Sequence, residues 1–191
     1  MSSEKDQLRK SLRTARRGHV AALDDTTRAL LFRHPPAPLL KLISDDATIG
    51  LYSAMPHEAP MATYARFLAE QGHTLTLPRF AHRAAPMEFA LHTDPFGESD
   101  LEVGPFGILQ PAGDAPLLTP QVMFIPLLGF TAHGARIGQG GGHYDRYLAA
   151  HPKPLKIGLA WDVQLVEHLP VEKHDMQLDY VVTPTRLYGP F

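Results

Sequence analysis

The sequence contains no cysteine in its 191 residues, which excludes disulfides, thiolate-bound zinc, iron–sulfur clusters and a cysteine nucleophile. Long hydrophobic runs are also missing: the longest, Val122 to Phe130, is far below the roughly 20 residues needed to span a bilayer. The opening segment MSSEKDQLRKSLRTARR has no apolar stretch of a secretory signal, and Glu4 and Asp6 count against a mitochondrial transit peptide. A cytoplasmic protein with no membrane partner is the expectation. Nor does one sign of charge dominate, since 18 Lys and Arg stand against 20 Asp and Glu for a formal net charge of −2. That balance argues against a nucleic-acid binder. It conceals an asymmetry, because residues 1–33 hold eight Lys and Arg against four Asp and Glu, so any anionic partner belongs near the N-terminus. The length suits a single domain over residues 1–191, expected as a monomer.

Hydrophobic periodicity predicts the elements. Leu8, Leu12 and Ala15 fall at helical spacing among Lys5, Arg9, Arg13, Arg16 and Arg17, a basic amphipathic helix over residues 3–18. Of these cations, Arg13, Arg16 and Arg17 are expected on a solvated face. A second helix is expected from Asp24-Asp25 to before His34-Pro35-Pro36. Strands are predicted at Ala47 to Ser53, at His73 to Leu77 with Pro78 ending it, and at Met87 to His92. Further strands are predicted at Val122 to Leu128, Leu155 to Trp161 and Tyr180 to Thr183. Helices are predicted at Met61 to Gln71 and Tyr144 to Ala150. Residues 93–120, rich in Pro, Gly and Asp, read as mostly loop and as the place for a small excursion. Strands alternating with helices imply an α/β fold, a sandwich with a mainly parallel sheet flanked by helices.

The chemistry concentrates in PLLGFTAHGARIGQGGGHYDRYL, residues 126–148. There an apolar strand opens into a loop with Gly138, Gly140, Gly141 and Gly142 before a helix. Free backbone N–H groups and a helix N-terminus make such a loop a phosphate cradle. Arg136 and Arg146 flank it as phosphate ligands, and Asp145 is suited to a divalent cation. Neither standard nucleotide fingerprint fits, since His143 stands where a dinucleotide motif needs its third glycine and no Lys-Ser/Thr follows.

RIGQGGGHYDRYL resembles the signature of the 5-formyltetrahydrofolate cyclo-ligase family. Other segments resemble family segments in the same order: the helix with Lys5 and Arg9, LYSAMPHE ending in Glu58, Leu77-Pro78-Arg79, GPFGILQP, and IGLAWDVQ followed by LPVEKHDMQLD. The resemblance implies a three-layer α/β sandwich. It also implies an enzyme that uses ATP and magnesium to convert 5-formyltetrahydrofolate, a reduced folate, to 5,10-methenyltetrahydrofolate. Phosphorylation of the formyl oxygen and ring closure would release ADP and phosphate. It places ATP contacts on Lys5, Arg9 and Arg136, Ile137, Gly138, Gln139, Gly140, Gly141, Gly142, His143 and Tyr144. Folate contacts fall on Ser53, Glu58 and Gln139 to His143, and magnesium on Asp145 and Asp175. Arg136 and Asp145 carry the catalytic roles.

Bland readings stand beside these. Asp175 also suits a turn or a helix cap, Glu58 the cap of a helix near Pro60, and Trp161 and Phe130 the core. The eleven histidines form no HExxH or His-x-x-x-His set, so most are expected on the surface or in loops. His143 replaces a tyrosine common in the family and Gln110 a glutamate, and the MPHE loop differs from several relatives. These departures keep open a non-catalytic folate- or nucleotide-binding relative. A sugar-phosphate isomerase or CoA-transferase-like enzyme of related architecture is a third reading, one that predicts activity without ATP.

Overall fold

The computed structural model describes residues 4–172 and 175–191. Helices α1 (Glu4–Ala22), α2 (Asp25–Leu30) and α3 (Ala37–Leu40) precede strand β1 (Thr48–Gly50), helix α4 (Ala62–Glu70) and strands β2 (Thr74–Arg79) and β3 (Glu88–His92). Short strands β4 (Leu101–Val103) and β5 (Leu109–Pro111) follow, then β6 (Val122–Pro126), β7 (Gly129–Phe130), β8 (Arg136–Ile137), helix α5 (His143–Ala150) and β9 (Leu155–Leu159). A 3₁₀ turn at Asp162–Gln164 leads to β10 (Tyr180–Val182) and β11 (Leu187–Tyr188).

Seven strands form one sheet in the order β11-β10-β9-β6-β1-β2-β3. The five inner strands run parallel, and the edges β11 and β3 are antiparallel to their neighbours. The alternation along β6 explains the layering. Val122 and Phe124 enter a core with Tyr64, Leu68 and Trp161. Met123 and Ile125 enter one on the opposite face with Tyr147 and Leu148 of α5. A central parallel strand covered on both faces must be apolar at every position, as VMFIP nearly is. The result is the three-layer α/β sandwich expected, with Trp161 and Phe130 fully buried in its cores.

Strand order reverses between β1 and β6, because the chain proceeds outward from β1 to β2 on one side and from β6 to β9 and β10 on the other. Ligands of open α/β sheets bind outside the carboxyl ends of the strands at such a switch point. Here the loops after β1 and β6 open a crevice.

Several boundaries differ from expectation. Pro78 does not end β2, which continues to Arg79. β1 pairs only as far as Thr76, so beyond it β2 bonds to β3 alone and the missing N–H of proline removes no ladder bond. Residues 93–120 hold a small antiparallel hairpin, β4–β5. The two-residue strands β7 and β8 also pair with each other, although neither is long enough to show a period. In α1 the buried positions are Leu12, Arg16 and Val20, one every four residues, and Ala15 is exposed. The hydrophobic seam therefore runs through an arginine.

Candidate active site

The crevice has a volume of about 740 Å³ and gathers side chains from both ends of the chain. Lys5 and Arg9 of α1, Ser53 and Glu58 after β1, Arg136 to Asp145, and Asp175 all line it. Residues separated by as many as 170 positions thus share one cavity.

The glycine loop follows β8. Gly140 has φ of 103° and Gly142 of 64°, conformations that side chains with a Cβ adopt only with strain. A Cβ on Gly142 would also lie 2.8 Å from an Arg146 nitrogen. Gly142 is the N-cap of α5 and supplies no side-chain cap, so the first N–H groups of that helix are left to an incoming acceptor.

Cations hold this loop in place. Arg9 Nε donates to the Gly138 carbonyl at 3.1 Å. Arg13 grips Gln139 twice, Nε to Oε1 at 2.9 Å and Nη2 to the carbonyl at 3.1 Å. Arg136 is buried at the base, and its Nη2 donates to Asp145 Oδ1 at 2.6 Å while its Nε has no hydrogen-bond partner. Asp145 Oδ1 also accepts from the Met176 amide at 3.2 Å. Lys5 Nζ lies 2.7 Å from Asp175 Oδ2 and 3.3 Å from Glu172 Oε2. Asp175 is a turn residue as well, its carboxylate accepting from the Glu172 amide at 2.7 Å.

Glu58 lies deep in the crevice with its side chain only 4% exposed. Its Oε2 accepts from the Met55 amide at 3.0 Å, and its Oε1 lies 3.4 Å from Gln139 Nε2 and 3.5 Å from Arg16 Nη1. Burial pushes its carboxyl above the ordinary carboxylate range, against the opposing pull of the Met55 amide and Arg16. It caps no helix: α4 starts at Ala62 with Met61 at the N-cap. Burial likewise raises the phenols of Tyr52 and Tyr144, and the Glu58 charge adds to both shifts.

Of the arginines assigned to a solvated face, Arg13 and Arg17 are exposed and Arg16 is not. Arg13 holds Gln139, and Arg16 is buried against Glu58. Sequence spacing could not reveal this, because the partner of Arg16 is 42 residues away. Phe80 and Phe106 were also missed. Their rings meet His143 edge-on at 4.9 and 5.5 Å, forming an aromatic wall. Arg146 Nη2 lies 3.1 Å from His143 Nδ1; a guanidinium only donates, so Nδ1 accepts and Nε2 bears the proton. Burial first and Arg146 second lower the imidazole's proton affinity, so its charging moves below the ordinary histidine range. His92, at the end of β3, is buried and faces Asp100 at 3.0 Å.

Two other sequence features acquire structural duties. The Ser53 hydroxyl donates to the Leu109 carbonyl at 2.6 Å, tying the β1 loop to β5. Gln110 accepts from the Phe80 amide at 3.1 Å and donates to the Phe80 carbonyl at 3.2 Å. A glutamate could make only the first of these bonds when ionised. The glutamine therefore fastens the β4–β5 hairpin to Phe80, the residue that follows β2.

Over residues 1–184 the chain matches the sequence model of the 5-formyltetrahydrofolate cyclo-ligase family. It is similar to the 5-formyltetrahydrofolate cyclo-ligase of Escherichia coli strain K12, 41% identical over 97 residues that span 48% of this chain and 53% of that protein. It therefore spans about half the length of that relative. The mouse protein of the same name is 30% identical over 145 residues, 70% of this chain and 71% of its own. Among solved structures, the fold resembles the 5,10-methenyltetrahydrofolate synthetase of Mycoplasma pneumoniae, with a TM-score of 0.65 and 22% identity over 94% of this chain and 98% of that one. The Aquifex aeolicus protein of that name gives 0.62 and 22%, over 99% of this chain and 85% of its own.

Proposed function

Because the chain belongs to the 5-formyltetrahydrofolate cyclo-ligase family, we propose that it converts 5-formyltetrahydrofolate to 5,10-methenyltetrahydrofolate, with ATP cleaved to ADP and phosphate. The observation that carries this reading is the shared crevice: a glycine loop at a helix N-terminus, cations from α1 beside it, and a buried carboxylate opposite. A formamide oxygen is a poor leaving group. Phosphorylating it turns it into a good one, after which the second folate nitrogen attacks the same carbon and phosphate departs. The chain's part is orientation and charge neutralisation. Lys5, Arg9 and Arg136 would hold the phosphates with the glycine-loop amides, and Glu58 would accept paired hydrogen bonds from the amino-pyrimidine edge of the pterin. A cytoplasmic, single-domain monomer completes this proposal.

Magnesium fits the donors present. Asp145 and Asp175 both line the crevice, and Mg²⁺ is commonly held by one or two carboxylates with substrate phosphates completing its shell. Among the described residues no cluster of three or more metal-ligating side chains occurs. When bound, the ion would neutralise phosphate charge. Each carboxylate is paired with a phosphate-directed cation, Asp145 with Arg136 and Asp175 with Lys5, so both carboxylates would be held in place to receive the ion and both cations to receive the phosphates.

The purified protein should develop methenyl-folate absorbance only when ATP, magnesium and 5-formyltetrahydrofolate are all present. Absorbance without ATP, or ligand binding without turnover, would overturn the reading. The Lys5→Ala, Arg9→Ala double variant should bind ATP about tenfold more weakly and with a shallower dependence on ionic strength, because two partly screened cations are gone. Calorimetric titration at two salt concentrations checks this; unchanged affinity would return both residues to a solvated role.

A further inference from the structure

Arg16 is the one buried cation on α1, and the foregoing catalytic reading leaves it without a task. Its side chain is 7% exposed and faces a Glu58 side chain that is 4% exposed, at 3.5 Å. Its Nε has no hydrogen-bond partner, and its second contact, with the Leu127 carbonyl, is also 3.5 Å. An arginine held this loosely adds little to stability, since removing two charges from water costs more than a long contact returns. The helix would be better stabilised by leucine in a seam that already contains Leu12 and Val20.

We propose that Arg16 is a positioning residue for the substrate, a buried counter-charge that keeps Glu58 ionised and fixed for the hydrogen-bonding edge of the folate. The proposal deepens the cyclo-ligase reading and rests on Glu58 being its folate carboxylate. A neutral glutamic acid would present one donor to a ligand edge that itself offers donors, so the ionisation state decides recognition. Other groups facing Glu58 cannot supply the charge. Tyr52 follows β1, Tyr144 belongs to α5 and Gln139 to the glycine loop, and all three are neutral; the Met55 amide contributes one hydrogen bond. Among the described residues, Arg16 is the cation in ion-pair contact with Glu58. Gln139 also joins the folate side to the phosphate side, since it bonds Glu58 and is gripped by Arg13 one helical turn before Arg16.

The test compares Arg16→Gln, Arg16→Lys and Glu58→Gln by the pH dependence of kcat/KM for 5-formyltetrahydrofolate, which reports groups of the free enzyme. Arg16→Gln retains polar bonding without charge. Its acid limb should move up by about one pH unit or more, as loss of an opposite charge within a few ångströms does, with KM for ATP unchanged within about twofold. Arg16→Lys should return the limb to within about half a unit of the parent. A merely structural Arg16 would lower activity equally at every pH, and an unmoved limb in Arg16→Gln overturns the proposal. If Arg16→Gln does not fold, Arg16→Lys decides: a limb at the parent position supports the role, and one displaced by a unit or more overturns it. Glu58→Gln separates the two readings. If it leaves the folate KM unchanged, the carboxylate assignment falls and this proposal with it. If it raises that KM while Arg16→Gln leaves the limb in place, only the role of Arg16 falls.

Discussion

Arg136→Lys should lower turnover at saturating ATP by about 10²- to 10³-fold, the usual cost of removing one pre-positioned donor from developing charge. Arg136 is buried, with one fork nitrogen bound to Asp145 at 2.6 Å and Nε without a partner. A buried donor left unsatisfied is held at a cost of about 1–3 kcal/mol, which an incoming phosphate oxygen relieves. Lysine keeps the charge and loses the planar fork, so it can satisfy Asp145 or the phosphate but not both in fixed geometry. Stability should change much less. The Asp145 side chain is 19% exposed and can recruit water, so the variant should melt within about 5 °C of the parent, a loss of roughly 1–2 kcal/mol in a chain of this size. Steady-state assay and thermal unfolding of the same preparation check both halves. A loss of activity explained wholly by unfolding would make Arg136 structural. In the glycine loop Gln139, Gly140 and Gly141 are exposed, whereas Arg136 is anchored in the cleft beneath them.

What could be read in advance followed the range of the interactions. β6 was legible because burial on both faces leaves an unbroken apolar run, and α5 because a glycine-rich loop ends where its first turn begins. β7 and β8 were not, since two residues show no period and their strand character comes from pairing with each other. In the site, the glycine loop and its flanking Arg136 and Asp145 lie within ten residues and announce a phosphate cradle together. Arg16 carried no such signal. On a helix whose Arg13 and Arg17 are exposed, its burial is decided by a carboxylate 42 residues away. Gln110 is similar: read as a lost charge, it is a two-bond clasp to the Phe80 backbone, and only the hairpin's position discloses that.

Glu58→Gln should raise the folate KM by about 10²- to 10³-fold while leaving ATP affinity nearly unchanged. An ionised carboxylate accepts two charge-assisted hydrogen bonds from an amino-pyrimidine edge, each worth about 1.5–3 kcal/mol. The amide keeps one acceptor and turns a donor toward the other donor. The pH dependence distinguishes this from packing damage. Burial raises the Glu58 carboxyl above its ordinary value of 4.5, so in the parent kcat/KM for folate should fall as pH drops through that raised value, with the ionised form required. The glutamine variant should show no such limb, only a uniformly low plateau. Stability responds with the opposite sense. A carboxyl whose affinity for a proton is greater in the folded state favours folding fully below 4.5, and that contribution is lost as pH rises through the folded value. The parent should therefore lose stability relative to Glu58→Gln over that interval as pH increases, even though its activity is rising. Denaturant unfolding of both proteins at pH 4, 5, 6 and 7 measures the difference. A constant gap would mean that Glu58 titrates alike in the folded and unfolded chains, and an acid limb above the ordinary carboxylate range would then belong to another group.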